Sequence, residues 1–178
     1  MNFKKLTAIT AMGLLSCAAS VHAADENYYA ELGYTTFKYS GAGAEWTPTA
    51  VRGIFGNNLA ENYAIEAMLL LGASNSSNGS TRGVTIKTES GAGVYFKPKA
   101  KLGSHVEVFG RLGWANINTQ VSSSFGGTTD AADSGLSYGF GAAISINKAM
   151  SVNVDYMLYN EDNGSKIDGV TVGIGYKF

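Results

Sequence analysis

The sequence predicts an all-β fold, an eight-stranded antiparallel up-and-down transmembrane β-barrel, and three observations support it. Eight segments alternate residue by residue between apolar and small or polar side chains, which is the period of an extended strand. Glycine is abundant, with 23 residues against 2 prolines, and much of it lies inside the alternating segments. The connections between the segments alternate between long and short, as they do in outer-membrane barrels.

Residues 169–178 show the alternation most clearly. One face carries Val170, Val172, Ile174, Tyr176 and Phe178, and the other carries Thr171, Gly173, Gly175 and Lys177. The second face is almost bare of large side chains, which suits the crowded interior of a narrow barrel. The apolar face would then contact lipid, with its aromatic residues at the membrane interface. An edge strand of a soluble sandwich is the alternative reading of this segment alone.

The same pattern recurs along the chain, and the short connections lie on the side of the two chain ends. A soluble barrel would place its apolar side chains inside, whereas here the charged residues share a face with glycine and serine. The charged face is therefore expected to be the interior. The predicted strands are residues 28–39, 50–57, 63–73, 84–97, 105–115, 135–146, 151–160 and 169–178. The predicted external loops are residues 40–49, 74–83, 116–134 and 161–168.

The N-terminal residues 1–23 are expected to be a secretory signal peptide, followed by a barrel domain over residues 24–178. Lys4 and Lys5 precede a short apolar stretch, and Val21-His22-Ala23 has the small-residue pattern of a signal-peptidase site. The sole cysteine, Cys17, lies in a sequence that resembles a lipoprotein cleavage box, so lipidation there is an alternative. No later apolar run reaches the about 18 residues of a membrane-spanning helix.

Charged residues of both signs fall on the inward face. Buried charges are costly unless they are paired and hydrogen-bonded. A salt-bridged plug is therefore expected, and a gated ion path through rearranging pairs is the alternative. The predicted lumen charge network comprises Glu31, Arg52, Glu66, Lys87, Glu89, Glu107, Arg111, Asp155 and Lys177.

No catalytic, metal or cofactor site is predicted, and the chain is expected not to be an enzyme. His105 is the only histidine after residue 23, and no serine is expected to pair with it near the outer leaflet. Glu66 and Asp155 are interpreted as partners of Arg52 or Arg111 rather than as a carboxylate pair. The formal charge of −1 is not basic enough to indicate nucleic acid as a partner.

These residues resemble the small outer-membrane β-barrel family, which includes the OmpA membrane domain, OmpX, Ail-type and Opa-type proteins. The resemblance covers the chain after residue 23. It is carried by the eight alternating segments, by residues 51–56 (Val-Arg-Gly-Ile-Phe-Gly) and 62–66 (Asn-Tyr-Ala-Ile-Glu), and by the terminal Gly-Tyr-Lys-Phe. These patterns are specific for the fold and unspecific for function, because family members are variously structural, adhesive, immune-evasive or weakly conductive.

The resemblance implies a cell outer-membrane location in a Gram-negative bacterium, with outer-membrane lipid and lipopolysaccharide around the barrel. Ile174, Tyr176 and Phe178, at two-residue steps, are similar to the signal that the barrel-assembly machinery reads. Relatives that bind host factors use their external loops, where Trp46 and Phe125 are the large aromatic residues. Exposed aromatic residues make good binding anchors, and the alternative is that both pack back onto the rim. The resemblance names no ligand. The predicted function is a structural or surface-interaction role, in adhesion or evasion, through the external loops, and a small pore or transporter for ions or small solutes is the rival function.

Overall fold

The computed structural model describes residues 27–41, 44–78, 84–123, 127–162 and 164–178. They form nine strands and, within these ranges, no helix long and apolar enough to cross a membrane. The strands are β1 Tyr28–Gly41, β2 Ala44–Trp46, β3 Thr49–Ala60, β4 Tyr63–Asn78, β5 Val84–Leu102, β6 Val106–Ser123, β7 Gly127–Ser145, β8 Met150–Asp162 and β9 Ser165–Lys177. The predicted signal peptide, Cys17 and Phe125 lie outside the described residues.

Eight of these strands close into one antiparallel barrel, which confirms the predicted fold. β1 and β3 to β9 pair in sequence order, and β9 returns to pair with β1 from Tyr29↔Lys177 to Ser40↔Lys166. The three-residue β2 pairs only with the end of β1. The first described residue, Asn27, and the C-terminal Phe178 lie at one end of the barrel together with the turns at residues 61–62, 103–105 and 146–149. We call this the terminal end and the opposite one the external end.

The outer wall of the barrel is apolar, as the alternation predicts. Large side chains such as Leu32, Val94 and Phe140 point outward and are about half exposed or more, at 47%, 64% and 68%. Near the terminal end, Tyr28 stacks on Phe55 with ring centroids 5.8 Å apart. An apolar band bordered by aromatic residues is the lipid-facing surface of an outer-membrane barrel.

Three strands, β4, β6 and β7, extend at least five residues farther toward the external end than predicted, whereas β5 begins at the predicted Val84 and is longer at the terminal end. β4, β5, β6 and β7 have 16, 19, 18 and 19 residues, whereas β3, β8 and β9 have 12, 13 and 13. The loop predicted over residues 116–134 is wrong for most of its length, because β6 and β7 stay paired up to Ser123↔Gly127. Polar cross-strand contacts stabilise this extension, including Gln120 Nε2 donating to Asp130 Oδ1 at 3.0 Å.

A β-bulge at Glu89 reverses which side chains of β5 face inward. Thr88 pairs with Thr119 and Ser90 pairs with Asn118, so Glu89 is the extra residue. On the terminal side of the bulge Tyr95 is buried as predicted, whereas on its external side Thr88 is buried and Lys87 is exposed. The expectation that Lys87 and Glu89 face the lumen is therefore wrong. Their side chains are 48% and 41% exposed and contact each other at 3.9 Å.

Candidate functional site

The lumen of the barrel is filled by two adjacent layers of side chains. The layer nearer the terminal end consists of six buried charged residues, which we call the charged layer. The layer nearer the external end is apolar and aromatic, and we call it the apolar layer. The charged layer comprises Glu31, Arg52, Glu66, Lys97, Arg111 and Asp155, all 8% exposed or less. The apolar layer comprises Phe37, Tyr39, Met68, Leu70, Ile86, Tyr95, Ile117, Met157, Tyr159 and Ile167.

Arg111 is the central cation of the charged layer and contacts three carboxylates. Its Nε donates to Glu66 Oε2 at 2.5 Å, and its Nη1 donates to Asp155 Oδ2 at 2.7 Å. Its Nη2 donates to Glu31 Oε2 at 2.8 Å and to Glu66 Oε1 at 3.1 Å. The planar guanidinium thus joins carboxylates from β1, β4 and β8, which are not neighbours in the sheet.

Lys97 is a second cation of the charged layer, and the sequence interpretation missed it. Its Nζ lies 3.0 Å from Glu31 Oε1 and 3.1 Å from Glu66 Oε1. It also lies over the rings of Tyr29 and Phe109, 4.8 Å and 4.3 Å from their centroids, which adds a cation–π contact. The signal that could have found it is its two-residue spacing from the inward Tyr95, because β5 continues through Pro98 instead of stopping there.

The remaining pair joins the two layers. Arg52 Nη1 donates to Asp155 Oδ1 at 2.8 Å, and Arg52 Nη2 contacts Asp155 Oδ2. Arg52 Nη1 also lies 3.4 Å from the hydroxyl of Tyr159, a member of the apolar layer. The layer therefore holds three cations and three anions, each with at least one partner of opposite charge, and its formal charge is zero.

The apolar layer follows the charged layer along the same strands. Counted toward the external end, Glu66 is followed by inward Met68 and Leu70. Likewise, Asp155 is followed by inward Met157 and Tyr159. The ring of Tyr159 packs against that of Phe37 with centroids 5.1 Å apart. The charged layer is therefore confined to the half of the lumen near the terminal end, and the polar groups of the other half include the buried hydroxyls of Thr88, Thr119 and Ser137.

The structure brings together five of the nine predicted lumen charges, namely Glu31, Arg52, Glu66, Arg111 and Asp155. Glu107 lies apart from this group, 3.7 Å from Lys99 at the terminal mouth. Lys177 is exposed at the same mouth. A cavity of about 30 Å³ lies between these residues and the charged layer. It has room for about one water molecule.

The other predicted site residues lie outside the lumen. Trp46 is partly buried against the apolar layer, and its indole nitrogen donates to the Val84 carbonyl at 3.3 Å. Ile174 and Tyr176 point outward with half of each side chain exposed, and the Tyr176 and Phe178 rings meet edge to face at 5.5 Å. His105 lies in the turn before β6, where its Nδ1 is 2.7 Å from Ser104 Oγ. No metal-binding group of histidine, cysteine, aspartate or glutamate occurs among the described residues.

Comparison with known proteins gives a family and several structural neighbours. The family model for the outer membrane protein β-barrel domain matches residues 7–178. A comparison with curated protein sequences finds no significant match. Ail of Yersinia pestis, solved in complex with the heparin analogue sucrose octasulfate, is 16% identical with a TM-score of 0.63, over 85% of this chain and 98% of that chain.

Two further solved structures are similar. Neisserial surface protein A is 12% identical with a TM-score of 0.63, over 85% of this chain and 97% of that chain. OprG of Pseudomonas aeruginosa is 16% identical with a TM-score of 0.60, over 85% and 96%. At these identities the likeness shows the fold alone, and the family rests on the sequence match. That match covers nearly the whole chain, and the protein therefore belongs to the outer membrane protein β-barrel domain family and is located in the outer membrane.

Proposed function

We propose that this protein is a closed, non-conducting outer-membrane barrel that serves a structural or surface-interaction role through its external parts. The observation that carries the proposal is the filling of the lumen by two different layers. A solute crossing the barrel would have to displace both of them. No catalytic step is part of the proposal.

The charged layer resists opening because its members satisfy one another. Moving Arg111 away would leave three buried carboxylates with two cations, Arg52 and Lys97, and the uncompensated buried charge costs several kcal/mol. Its contacts with Glu66, Asp155 and Glu31 also hold three separate strands together. We infer that this layer plugs the lumen and sets the cross-section of the barrel.

The apolar layer closes the path in a second way. Phe37, Leu70, Met68 and Tyr159 are at most 2% exposed, so their side chains leave no open route toward the external end. An apolar constriction of this kind excludes water as well as ions. Ion passage would therefore require larger changes than a rearrangement of salt bridges.

Single-channel conductance of the refolded mature chain in a planar bilayer tests the closed lumen. We expect no discrete openings from the wild type, nor from Leu69→Ala, a control substitution on the lipid-facing side of β4. Discrete openings of the wild type would instead support the rival function, a small pore or transporter. One feature of the structure favours this rival function, namely the cavity at the terminal mouth, whose lining includes Glu31 and Lys97.

The interaction role is proposed for the strands that extend beyond the apolar band at the external end. Ail, one similar structure, was solved with a heparin analogue, which supports ligand binding as a use of this fold. We propose lipopolysaccharide and outer-membrane lipid as the surroundings of the barrel, and an unidentified host or surface ligand for its external end. Replacing residues 122–128 of the β6–β7 hairpin by a two-residue Asn-Gly turn between the paired Val121 and Thr129 should leave heat-modifiable migration of the folded barrel intact and reduce adherence of expressing cells. Unchanged adherence would contradict the role.

The C-terminal strand is proposed to carry the signal for assembly. Ile174, Tyr176 and Phe178 share the outward face, where the assembly machinery could contact them before the barrel closes on β1. Deletion of Phe178 should lower the amount of folded barrel in the outer membrane, whereas Lys177→Gln, beside it on the other face, should not. If both variants assemble to the same extent, the proposal that these residues carry the assembly signal is contradicted.

A further inference from the structure

The wall of the barrel is split between β7 and β8 at the external end. β7 pairs with β6 over its whole length, from Val106↔Ile144 to Ser123↔Gly127. It pairs with β8 only from Tyr138↔Leu158 to Ser145↔Ser151. Among the described residues, no strand pairs with the β8-facing side of residues 127–137. This part of β7, which we call the free edge, extends beyond the end of the seam.

The split is closed at its base by side chains rather than by backbone pairing. Ser137 Oγ donates to the Leu158 carbonyl at 2.8 Å, just where the β7–β8 ladder ends. One step farther out, a Cβ on Gly135 would lie 2.6 Å from Asn160 Oδ1, so the Asn160 side chain rests against the backbone of β7. The pairing of β7 with β8 therefore ends at a defined position, and the free edge begins on the external side of it.

The ladder also determines which backbone groups face the split. Ser145 N donates to His105 O at 2.8 Å toward β6, whereas Ile146 N donates to Met150 O at 2.9 Å toward β8. The β6–β7 register has no shift, so odd-numbered residues of β7 bond to β6 and even-numbered ones face away from it. The groups presented at the free edge are the N–H and C=O of Thr128, Asp130, Ala132, Ser134 and Leu136, and all five residues are exposed.

The two sides of the split carry charge of one sign. Residues 127–137 of β7 contain Asp130 and Asp133, and residues 159–161 of β8 contain Glu161, with no lysine or arginine in either segment. Lys166 of β9 pairs with Glu161 on the side away from the split. An unpaired strand edge pairs readily with another extended segment, and its flanking charges select which one. We propose that the free edge binds an extended, positively charged polypeptide segment of a partner, which adds a strand next to β7 at the cell surface.

This inference rests on the proposed surface-interaction role and names its partner by chemistry. The binding probe is a synthetic peptide of alternating lysine and threonine, about ten residues long. A second peptide has glutamate in place of lysine. A third keeps the lysines but carries backbone N-methyl groups on successive residues, so that neither of its two edges can pair with a strand. Fluorescence anisotropy would follow their binding to the barrel in lipid nanodiscs.

We expect the lysine peptide to bind and the other two peptides to bind at least about tenfold more weakly. Ala132→Pro removes an edge-facing N–H without touching the bonds to β6, and it should weaken binding about tenfold. Ala132→Ser, the matched control, keeps that N–H and should bind like wild type. Amide hydrogen exchange at residues 128, 130, 132 and 134 should slow when the peptide is bound.

Three results would overturn the proposal. If the N-methylated peptide binds as tightly as the lysine peptide, charge attraction alone accounts for binding. If Ala132→Pro binds the lysine peptide as tightly as the wild type does, the peptide binds at a site other than the free edge. Dimerisation of the barrel without peptide, abolished by Ala132→Pro, would assign the edge to a second copy of this chain. If the barrel conducts ions and binds the lysine peptide, only the proposal of a closed lumen is refuted. If the barrel does not conduct and does not bind the peptide, only the present inference is refuted.

Discussion

The charged layer and the apolar layer are built from the same strands and touch each other, yet their stability rests on different physics. In the charged layer a few residues must each find partners of opposite charge, and Arg111 alone serves three carboxylates. In the apolar layer many residues contribute similarly by filling volume. The charged layer therefore loses stability when a charge is left unpaired, and the apolar layer loses stability when a cavity is opened. Four substitutions, in order of expected effect, test this difference.

Arg111→Met should have the largest effect, because it leaves three buried carboxylates with only Arg52 and Lys97 as cations. We expect a loss of about 3–5 kcal/mol in the free energy of unfolding, measured by urea unfolding in lipid vesicles. Arg111→Lys keeps the charge but loses the planar guanidinium, so its free energy of unfolding should lie between those of the wild type and Arg111→Met. Wild-type stability in Arg111→Met would mean that the charged layer contributes packing rather than charge pairing.

Leu70→Ala should cost about 2–3 kcal/mol in the same measurement, because it opens a cavity in the apolar layer. Leu70 is 1% exposed, whereas its neighbour Leu69 faces lipid and is 46% exposed, so Leu69→Ala is the matched control. The loss in Leu70→Ala should not change with salt, since no charge is involved. A cost no larger than that of Leu69→Ala would show that the apolar layer collapses without penalty.

Tyr29→Phe should cost about 1.5 kcal/mol, because the Tyr29 hydroxyl donates to the buried Glu66 carboxylate at 2.6 Å. Tyr34 donates to Thr49 at 2.7 Å on the exposed side of the same strand, so Tyr34→Phe is a control that should cost less. A double-mutant cycle of Tyr29→Phe with Glu66→Gln isolates this one bond. If the two substitutions change the free energy of unfolding additively, the hydrogen bond between Tyr29 and Glu66 contributes nothing to stability.

Glu61→Gln should have the smallest effect. Glu61 lies in the turn between β3 and β4, and a hydrogen bond from Lys101 lowers the pKa of its carboxyl. The pair therefore stabilises the fold above the unfolded pKa, and the contribution is lost as pH falls through the folded pKa. Because the carboxyl is fully exposed, we expect no resolvable change in stability, whereas an NMR titration should show its pKa rise toward normal in Lys101→Met.

The fold could be predicted because one rule, the two-residue alternation, repeats along the whole chain. The same rule predicts an inward position for Glu31, Glu66 and Arg111, which are all buried, whereas it does not predict which inward charges pair with one another. It failed for the length of the strands at the external end. There the cross-strand partners are polar, such as Ser122 and Thr128 at 3.1 Å, so no apolar pattern marks the strand.

The rest of the site depends on information that alternation does not carry. Lys97 ends the predicted strand 84–97, and alternation does not tell whether the strand continues past Pro98, where a proline with its nitrogen outside the ladder is tolerated. Alternation predicts Lys87 and Glu89 inside, because a bulge leaves no mark in the sequence around it. The free edge of β7 follows from the lengths of two neighbouring strands, which the sequence alone does not fix.

The bulge at Glu89 makes one point of the chain tolerant of a change in length as well as in composition. Removing Glu89 would restore an unbroken two-residue period through β5, in which Thr88 and Ile86 still face inward and Lys87 still faces outward. Any substitution at Glu89 would also leave the orientation of these residues unchanged. During divergence of this sequence, a one-residue deletion there would therefore leave the apolar layer intact, as would many successive replacements at the same position.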